Sequence, residues 1–432
     1  MKLFIKMSGL AVNIRIYCLI ILTLSSTVTL TAKESPVTVV DSLSKLPVGG
    51  ASIFDNRGNF IDITDNSGRM PLISPESYPL TIRCIGYESL VVEEPTKKVG
   101  LVRNVYSLPE VTVLEGKDVY VHLLGYVREY SVLSTYNDSI NLFREKWVDF
   151  MIPTNPDSKF KGWSSPRILS TKSYYHYTNI YGLDSVADRS QHHFSWSDWI
   201  GVKDRIPLPE NLRKAEAGVD SVEGHYNWKE IWERSDKRIN ISVDVLADTT
   251  NLSWIPNTSG FFKGNIDFDM FKLRYVYSDN DSAKLNVSDL QAISFNIDSR
   301  GRGRNMFMFN PVGMPFFVQT YGEIYIADKE YIRKKDAKKW QDYKFDEEIF
   351  KEIGLPADVP PLSEDTRNLI ARVENIDHVD RQLMIKPDPI LVGPERKKLN
   401  TGQKILHFLN NLRKTVYVRS PKMNTQKMKR KK

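Results

Sequence analysis

Ile239-Asn240-Ile241-Ser242-Val243-Asp244-Val245 alternates apolar and polar residues without a break. A period of two sends one set of side chains to a buried face and the other to the opposite face, so this stretch predicts a strand. Further along, Ile266-Asp267-Phe268 through Phe271-Lys272-Leu273-Arg274-Tyr275-Val276-Tyr277 repeats the pattern. Asp279-Asn280-Asp281-Ser282 then reads as a turn into Lys284-Leu285-Asn286-Val287. Ala292-Ile293-Ser294-Phe295-Asn296-Ile297 and Asn305-Met306-Phe307-Met308-Phe309 flank a tip of Gly and Arg, and Val318 to Ile326 closes the series. Long alternating runs joined by turns predict an antiparallel sheet, followed by a short helix from Lys334 to Trp340. On the N-terminal side, Val119 to Leu133 is apolar and β-prone. Ile140 to Ile152 fits two periods. Ile140, Phe143, Trp147, Phe150 and Met151 lie at helical spacing, whereas Ile140, Leu142, Val148, Phe150 and Ile152 share one strand face, and both readings stay open.

Residues 37–114 have a different texture: short β-branched runs punctuated by turns. Val37-Thr38-Val39-Val40 leads through Leu46-Pro47-Val48-Gly49-Gly50 into Ala51-Ser52-Ile53-Phe54. Asn56-Arg57-Gly58-Asn59 and Asp65-Asn66-Ser67-Gly68 are hairpin turns, since Asn, Asp and Gly tolerate positive φ. Leu80-Thr81-Ile82-Arg83-Cys84-Ile85 alternates, Gly86-Tyr87 and Leu90-Val91-Val92 follow, and the last strand is expected near Leu108-Pro109-Glu110-Val111-Thr112-Val113. Regularly spaced short strands point to a β-sandwich. On Pro47-Val48-Gly49-Gly50-Ala51-Ser52-Ile53, the Thr64-Asp65-Asn66-Ser67-Gly68 turn and Ile85-Gly86-Tyr87, this order resembles the carboxypeptidase regulatory-like domain, a transthyretin-like sandwich of the seven-strand type. The same module precedes the plug of starch-utilisation-type TonB-dependent receptors in Bacteroidota. The resemblance implies a non-catalytic structural or docking adjunct in a Bacteroidota-type envelope protein. No plug signature follows, and too little chain remains for a large outer-membrane barrel, so a receptor is not expected.

Composition adds the compartment. Residues 1–32 carry Lys2, Lys6 and Arg15 with no acidic residue, then the apolar run Ile16-Tyr17-Cys18-Leu19-Ile20-Ile21-Leu22 and a slope to Thr31-Ala32. That is the pattern of a secretory signal peptide, and the run is shorter than the ~20 residues of a membrane span. Ile16-Tyr17 are not the small residues a lipidated Cys18 requires. Export to the periplasm or the outer-membrane periphery leaves Cys84 as the lone cysteine, so the core and not disulfides must hold the fold. The formal net charge of +7 is uneven. Residues 394–432 hold thirteen Lys and Arg against one Glu, attached to a mildly acidic body.

Four features carry potential chemistry. Arg300, Arg302 and Arg304 alternate with Gly301 and Gly303 after Asp298-Ser299, a hinged loop that could grip a phosphate, sulfate or sugar acid. The bland reading is a solvated hairpin tip, and without a strand-to-helix context it is no dinucleotide loop. His192 and His193, with Trp196, Asp198 and Trp199, could begin a metal site completed by His176 or His225, or could stack a sugar. Adjacent residues on a strand point to opposite faces, which argues against one ion between the two histidines. Asp267, Asp269, Asp279 and Asp281 are spaced like calcium ligands but lack the glycine and later acidic ligand of a closed loop. No Gly-x-Ser-x-Gly, His-Glu-x-x-His or Cys-x-x-Cys occurs, so no catalytic residue and no cofactor is assigned.

Pro356, Pro360 and Pro361 mark residues 346–393 as a Pro-rich linker, with a helix over Thr366 to Ile376. In the basic tail, Thr401 can cap an amphipathic helix bearing Ile405, Leu406, Leu409 and Leu412, suited to an anionic membrane surface. The fold class is thus mainly β with some α: a sandwich at 37–114, a β-rich domain at 117–345 and a helical basic tail. The function read from it is non-catalytic: an exported envelope protein that binds an envelope protein, glycan or lipid, and no nucleic acid. A half-barrel lipid or lipoprotein carrier would instead show an unfilled apolar face lined by Phe271, Phe307 and Phe309. An envelope hydrolase would need a cleft joining His192 or His193 to a carboxylate or hydroxyl.

Overall fold

The computed structural model describes residues 37–104, 114, 116, 118–182, 184–188, 195–203, 205–222, 230–235, 237–247, 266–302, 315–342 and 354–375. The leader, the basic tail, Leu108–Val113 and Phe307–Phe309 lie outside them. The chain is mainly β, as the alternation requires.

The N-terminal module has six described strands: β1 (Thr38–Asp41), β2 (Ser52–Phe54), β3 (Phe60–Ile63), β4 (Leu80–Arg83), β5 (Leu90–Val92) and β6 (Lys98–Leu101). One sheet runs β3-β2-β4-β5, and β1 pairs with β6 in parallel. Val39, Val99 and Leu101 from the small sheet meet Ile53, Leu80 and Ile82 from the larger one in a single apolar core. Cys84 is buried in that core, and burial raises its thiol pKa, so it packs as a small apolar group.

The larger body is a ten-stranded antiparallel sheet. Its strands are β7 (Val119–Ser134), β8 (Asp138–Pro153), β9 (Trp163–Asn179), β10 (Asp184–Asp188), β12 (Gly218–Val222), β13 (Glu230–Ser235), β14 (Arg238–Asp244), β15 (Ile266–Ser278), β17 (Leu290–Arg302) and β18 (Pro315–Arg333). The order across it is β10-β9-β8-β7-β18-β17-β15-β14-β13-β12, and the short β11 (Arg205–Pro207) and β16 (Lys284–Asn286) pair apart from it. The segment that fits two periods is strand β8, paired on both sides by β7 and β9.

Alternation splits the sheet into two unlike faces. Leu123, Phe150, Ile241, Tyr275, Phe295 and Ile324 share one apolar face. It is filled by Trp196, Ile200, Val202, Ile206 and Leu212, the last from helix α1 (Glu210–Arg213). On this face the Phe295 ring lies over Gly322, where a Cβ would come within 2.0 Å of it. The opposite face carries Arg128, Tyr130, Arg274, Asn296, Tyr321 and Glu323 between apolar residues, and the module packs against it. Helix α2 (Lys334–Asp342) caps one end of the sheet through Ala337 and Trp340. Helix α3 (Glu364–Glu374) lies along β9 and β10.

Candidate functional site: the junction of module, sheet and arm

Three parts of the chain meet over Tyr130. The first is the β2–β3 hairpin of the module. Asp55 organises its turn by accepting from the backbone N–H groups of Arg57 at 2.9 Å and Asn59 at 2.7 Å. Gly58 sits at φ +83°, in the region that costs other residues strain. The second is the polar face of the sheet, where the rings of Phe54, Phe60, Tyr130 and Tyr321 pack with centroids 5.5–6.2 Å apart. The third is an arm, residues 354–375. Its Pro360 carbonyl accepts from Arg128, and Ser363 caps α3 by accepting from the Thr366 N–H at 3.2 Å. At the helix's other end, Arg372 Nη2 lies 2.9 Å from Asp184, which also holds His176 Nε2 at 2.9 Å. The prolines read as a linker therefore belong to a segment docked on the body.

Ion pairs tie module to sheet: Arg103 Nη2 lies 3.8 Å from Glu233 of β13, and the closer and more deeply buried pair is made by Arg83. Arg83 at the end of β4 reaches Glu323 of β18 at 2.6 Å, with side chains 9% and 2% exposed. Its guanidinium lies 5.4, 5.6 and 5.9 Å from the Phe54, Tyr130 and Tyr321 ring centroids. Burial opposes the charge, but the Glu323 carboxylate more than offsets it and holds the Arg83 pKa above its usual value. Arg238 donates to the Gly86 carbonyl, and Ser52 Oγ lies 3.3 Å from Asn296 Oδ1.

Two clefts open at this junction, and both are lined by Gly58 and Tyr130. The smaller, about 240 Å³, takes Arg57, Asn59 and Phe60 from the module, Asn141 and Phe143 from the sheet, and Asp365 and Asn368 from the arm. The larger, about 670 Å³, lies between Arg83, Tyr87 and Glu88 on one side and residues 357–364 on the other. Among the described residues, the side chains of Arg57, Asn141 and Asn368 make no hydrogen bond, so they stand ready to take a ligand's polar groups.

Of the described residues singled out from sequence, His176 lines the smaller cleft, and the others lie away from the junction. Arg300 is at the far end of β17, paired with Asp269 at 3.2 Å and about half exposed. Arg302 has only its backbone described, and Arg304 lies outside the described residues, so no three-arginine grip is on view. His192 and His193 also lie outside them, as does the Trp199 side chain. Trp196 is 1% exposed, its ring occupied by Phe268 and Phe271 in the core, where a sugar cannot reach it. Asp279 and Asp281 both accept from Arg234, an ion-paired turn in place of a calcium loop.

Asp298, which precedes that arginine stretch, has a pKa raised to about 6. The cause is burial first and the Asp62 carboxylate of β3 second. A carboxyl whose pKa rises from 3.8 on folding stabilises the fold while protonated, and that contribution is lost as pH climbs from about 4 through 6. The shift corresponds to at most ~3 kcal/mol, reduced to about 1–2 kcal/mol by solvent screening of this partly exposed group. Asp298→Asn is therefore expected to equal the wild type in stability near pH 4 and to exceed it at pH 7. Denaturant unfolding at the two pH values checks this, and an identical difference at both contradicts it.

Two further polar clusters, built on buried Lys146 and buried His122, have the residue types of catalysis. On the apolar face, buried Lys146 lies 2.9 Å from Ser197 Oγ and 2.7 Å from Asp198, and it also donates to Ser195. Burial pulls the ammonium pKa down, while Glu129 and Asp198 offset part of the fall. Both serine hydroxyls donate to Glu129, and the serines are 1% and 0% exposed, so neither is free to attack a substrate. Near α2, His122 bridges Asp149 at 3.0 Å and Glu330 at 2.9 Å, under the Trp340 ring. Burial opposes the charge there, but the two carboxylates prevail and raise the imidazole pKa.

No family model matches this chain, and no curated protein does. Among solved structures it is similar to one titled "Lipid-protein interactions in lipovitellin", at 8% identity and a TM-score of 0.25. That match covers 50% of this chain and 25% of the lipovitellin chain.

Proposed function

We propose that this chain is a non-catalytic, exported cell-envelope protein. Its regulatory-like sandwich serves docking and assembly, and it binds an envelope ligand or partner at the junction of module, sheet and arm. The observation that carries the reading is the pair of clefts there, walled by three parts of the chain, the smaller lined by Asn141 and Asn368, whose side chains make no hydrogen bond among the described residues. Ligand sites favour such boundaries between packed units. Export rests on the basic, then apolar, then small-residue leader, and peripheral membrane contact rests on the basic amphipathic tail.

Gly58 gives the direct test. A Cβ on it would fall 2.3 Å from Ser363 Oγ, and its positive φ already disfavours a side chain. Gly58→Val should lift the arm while the sheet stays folded. Native mass spectrometry of protein purified from its own envelope is expected to find a bound small molecule on the wild type. The same measurement should find at least about tenfold less on Gly58→Val, a loss of ~1.4 kcal/mol or more. Absence of any bound species on the wild type, or equal retention by the variant, would contradict the reading.

The lipid-carrier alternative asks for an open apolar face. In the described residues that face is filled, and Phe271 is 2% exposed against Phe268 and Trp196. The junction clefts are the better supported site.

A further inference from the structure

We infer that the smaller cleft at the junction takes a single neutral pyranose of an envelope glycan, held by Asn141 and Asn368 over the aromatic wall of Phe60, Tyr130 and Phe143. This rests on the reading of the junction as the ligand site and adds the chemistry of the ligand. At about 240 Å³ the cleft lies below the ~300–1,000 Å³ of drug-sized sites, which suits one sugar ring and is short for an acyl chain.

The lining fits a polyhydroxylated ring. A carboxamide carries a donor and an acceptor side by side, and so do two adjacent hydroxyls of a sugar. Asn141 projects from β8 and Asn368 from α3, so two such groups approach from different walls, both without an internal partner among the described residues. Aromatic rings offer apolar area to the C–H face of a pyranose while its hydroxyls stay bonded to polar groups. Charge argues for a neutral sugar. Arg57 is offset by Asp365 in the same lining, and Arg372 is already held by Asp184. A sugar acid would meet the Asp365 carboxylate. The cleft also exists only when all three parts are assembled, since Asn59 and Phe60, Asn141, and Asn368 come from module, sheet and arm.

The test is saturation-transfer NMR and calorimetry on the full exported chain with methyl glucoside, methyl galactoside, methyl mannoside, N-acetylglucosamine and glucuronate. At least one neutral pyranoside is expected to bind, and Asn368→Ala and Asn141→Ala are each expected to weaken it about tenfold or more. Asn368 is exposed on α3, so its replacement leaves the fold intact. Tyr136→Ala, on the exposed β7–β8 turn, should change nothing. Binding of glucuronate alone, or binding indifferent to both asparagine variants, overturns the inference. If no pyranoside binds while a different native ligand is retained by the wild type and lost in Gly58→Val, the sugar assignment fails and the junction reading stands. If neither a pyranoside nor any native ligand is found, both fail.

Discussion

Arg83→Ala is expected to destabilise the protein by about 3–5 kcal/mol. The cost comes mainly from what is left behind. Glu323 is 2% exposed on a central strand of the sheet, and without Arg83 its remaining hydrogen-bond partner among the described residues is the Tyr321 hydroxyl. A buried carboxylate stripped of its counter-charge must stay ionised in a poor solvent, bind a proton, or draw water in. The rings of Phe54, Tyr130 and Tyr321 would also lose the cation they surround. Removing both charges, as in Arg83→Met with Glu323→Gln, takes away the orphan and is expected to recover most of the loss. Chemical denaturation of the single and double variants measures both values. A single variant within about 1 kcal/mol of the wild type would mean that the module is held by its other contacts, the apolar ones and the polar ones of Arg103 and Arg238, without need of this pair.

Lys146→Ala should cost a similar ~3–5 kcal/mol for a related reason on the other face of the sheet. Lys146 is fully buried and donates to Ser195, Ser197 and Asp198, and those contacts hold the 195–199 segment that brings Trp196 onto the apolar core. Its loss leaves Glu129, 1% exposed, with two serine hydroxyls and the Trp196 backbone N–H as its hydrogen-bond partners among the described residues. Lys146→Met with Glu129→Gln keeps the volume and removes both charges, so its stability should return to within about 1–2 kcal/mol of the wild type. Trp fluorescence is a convenient readout, because the Trp196 environment is tied to this cluster. If Lys146→Ala leaves stability and fluorescence unchanged, the cluster does not hold the covering segment in place.

The sequence disclosed the sheet wherever one face is apolar and the other polar. β14, β15, β17 and β18 alternate, and their registers follow that alternation. β9 escaped notice because Trp163–Asn179 is mostly half-buried, largely polar and interrupted by Pro166, so no face stands out. β8 satisfied two periods, and only pairing with β7 and β9 decides between them, which a single strand's sequence cannot show. Arg83 illustrates a different limit. The stretch Leu80–Ile85 reads as a strand with one buried face, yet Leu80 and Ile82 face the module's core while Arg83 and Ile85 enter its contact with the large sheet. A charged residue on the outward face gives no sign that a second sheet will cover it.

The site was less legible still. Arg57, Asn141 and Asn368 are individually ordinary residues, and they become a set only because a module hairpin, a central strand and an arm far along the chain converge. The prolines at 356, 360 and 361 signalled a break in secondary structure, which is correct locally, but carried no information that the extended stretch would lie against Arg128 and Gly58. The histidine and tryptophan run near 191–199 drew attention by its chemistry, whereas Trp196 is there to fill the core.

Hydrogen–deuterium exchange on the full chain, with and without the molecule that co-purifies from its envelope, tests the central claim most directly. Binding at the junction should slow exchange in three separate stretches at once: 57–60 of the module, 130–143 of the sheet and 357–372 of the arm. Slowing confined to the hairpin around Arg300, or no change in any of the three, would contradict it.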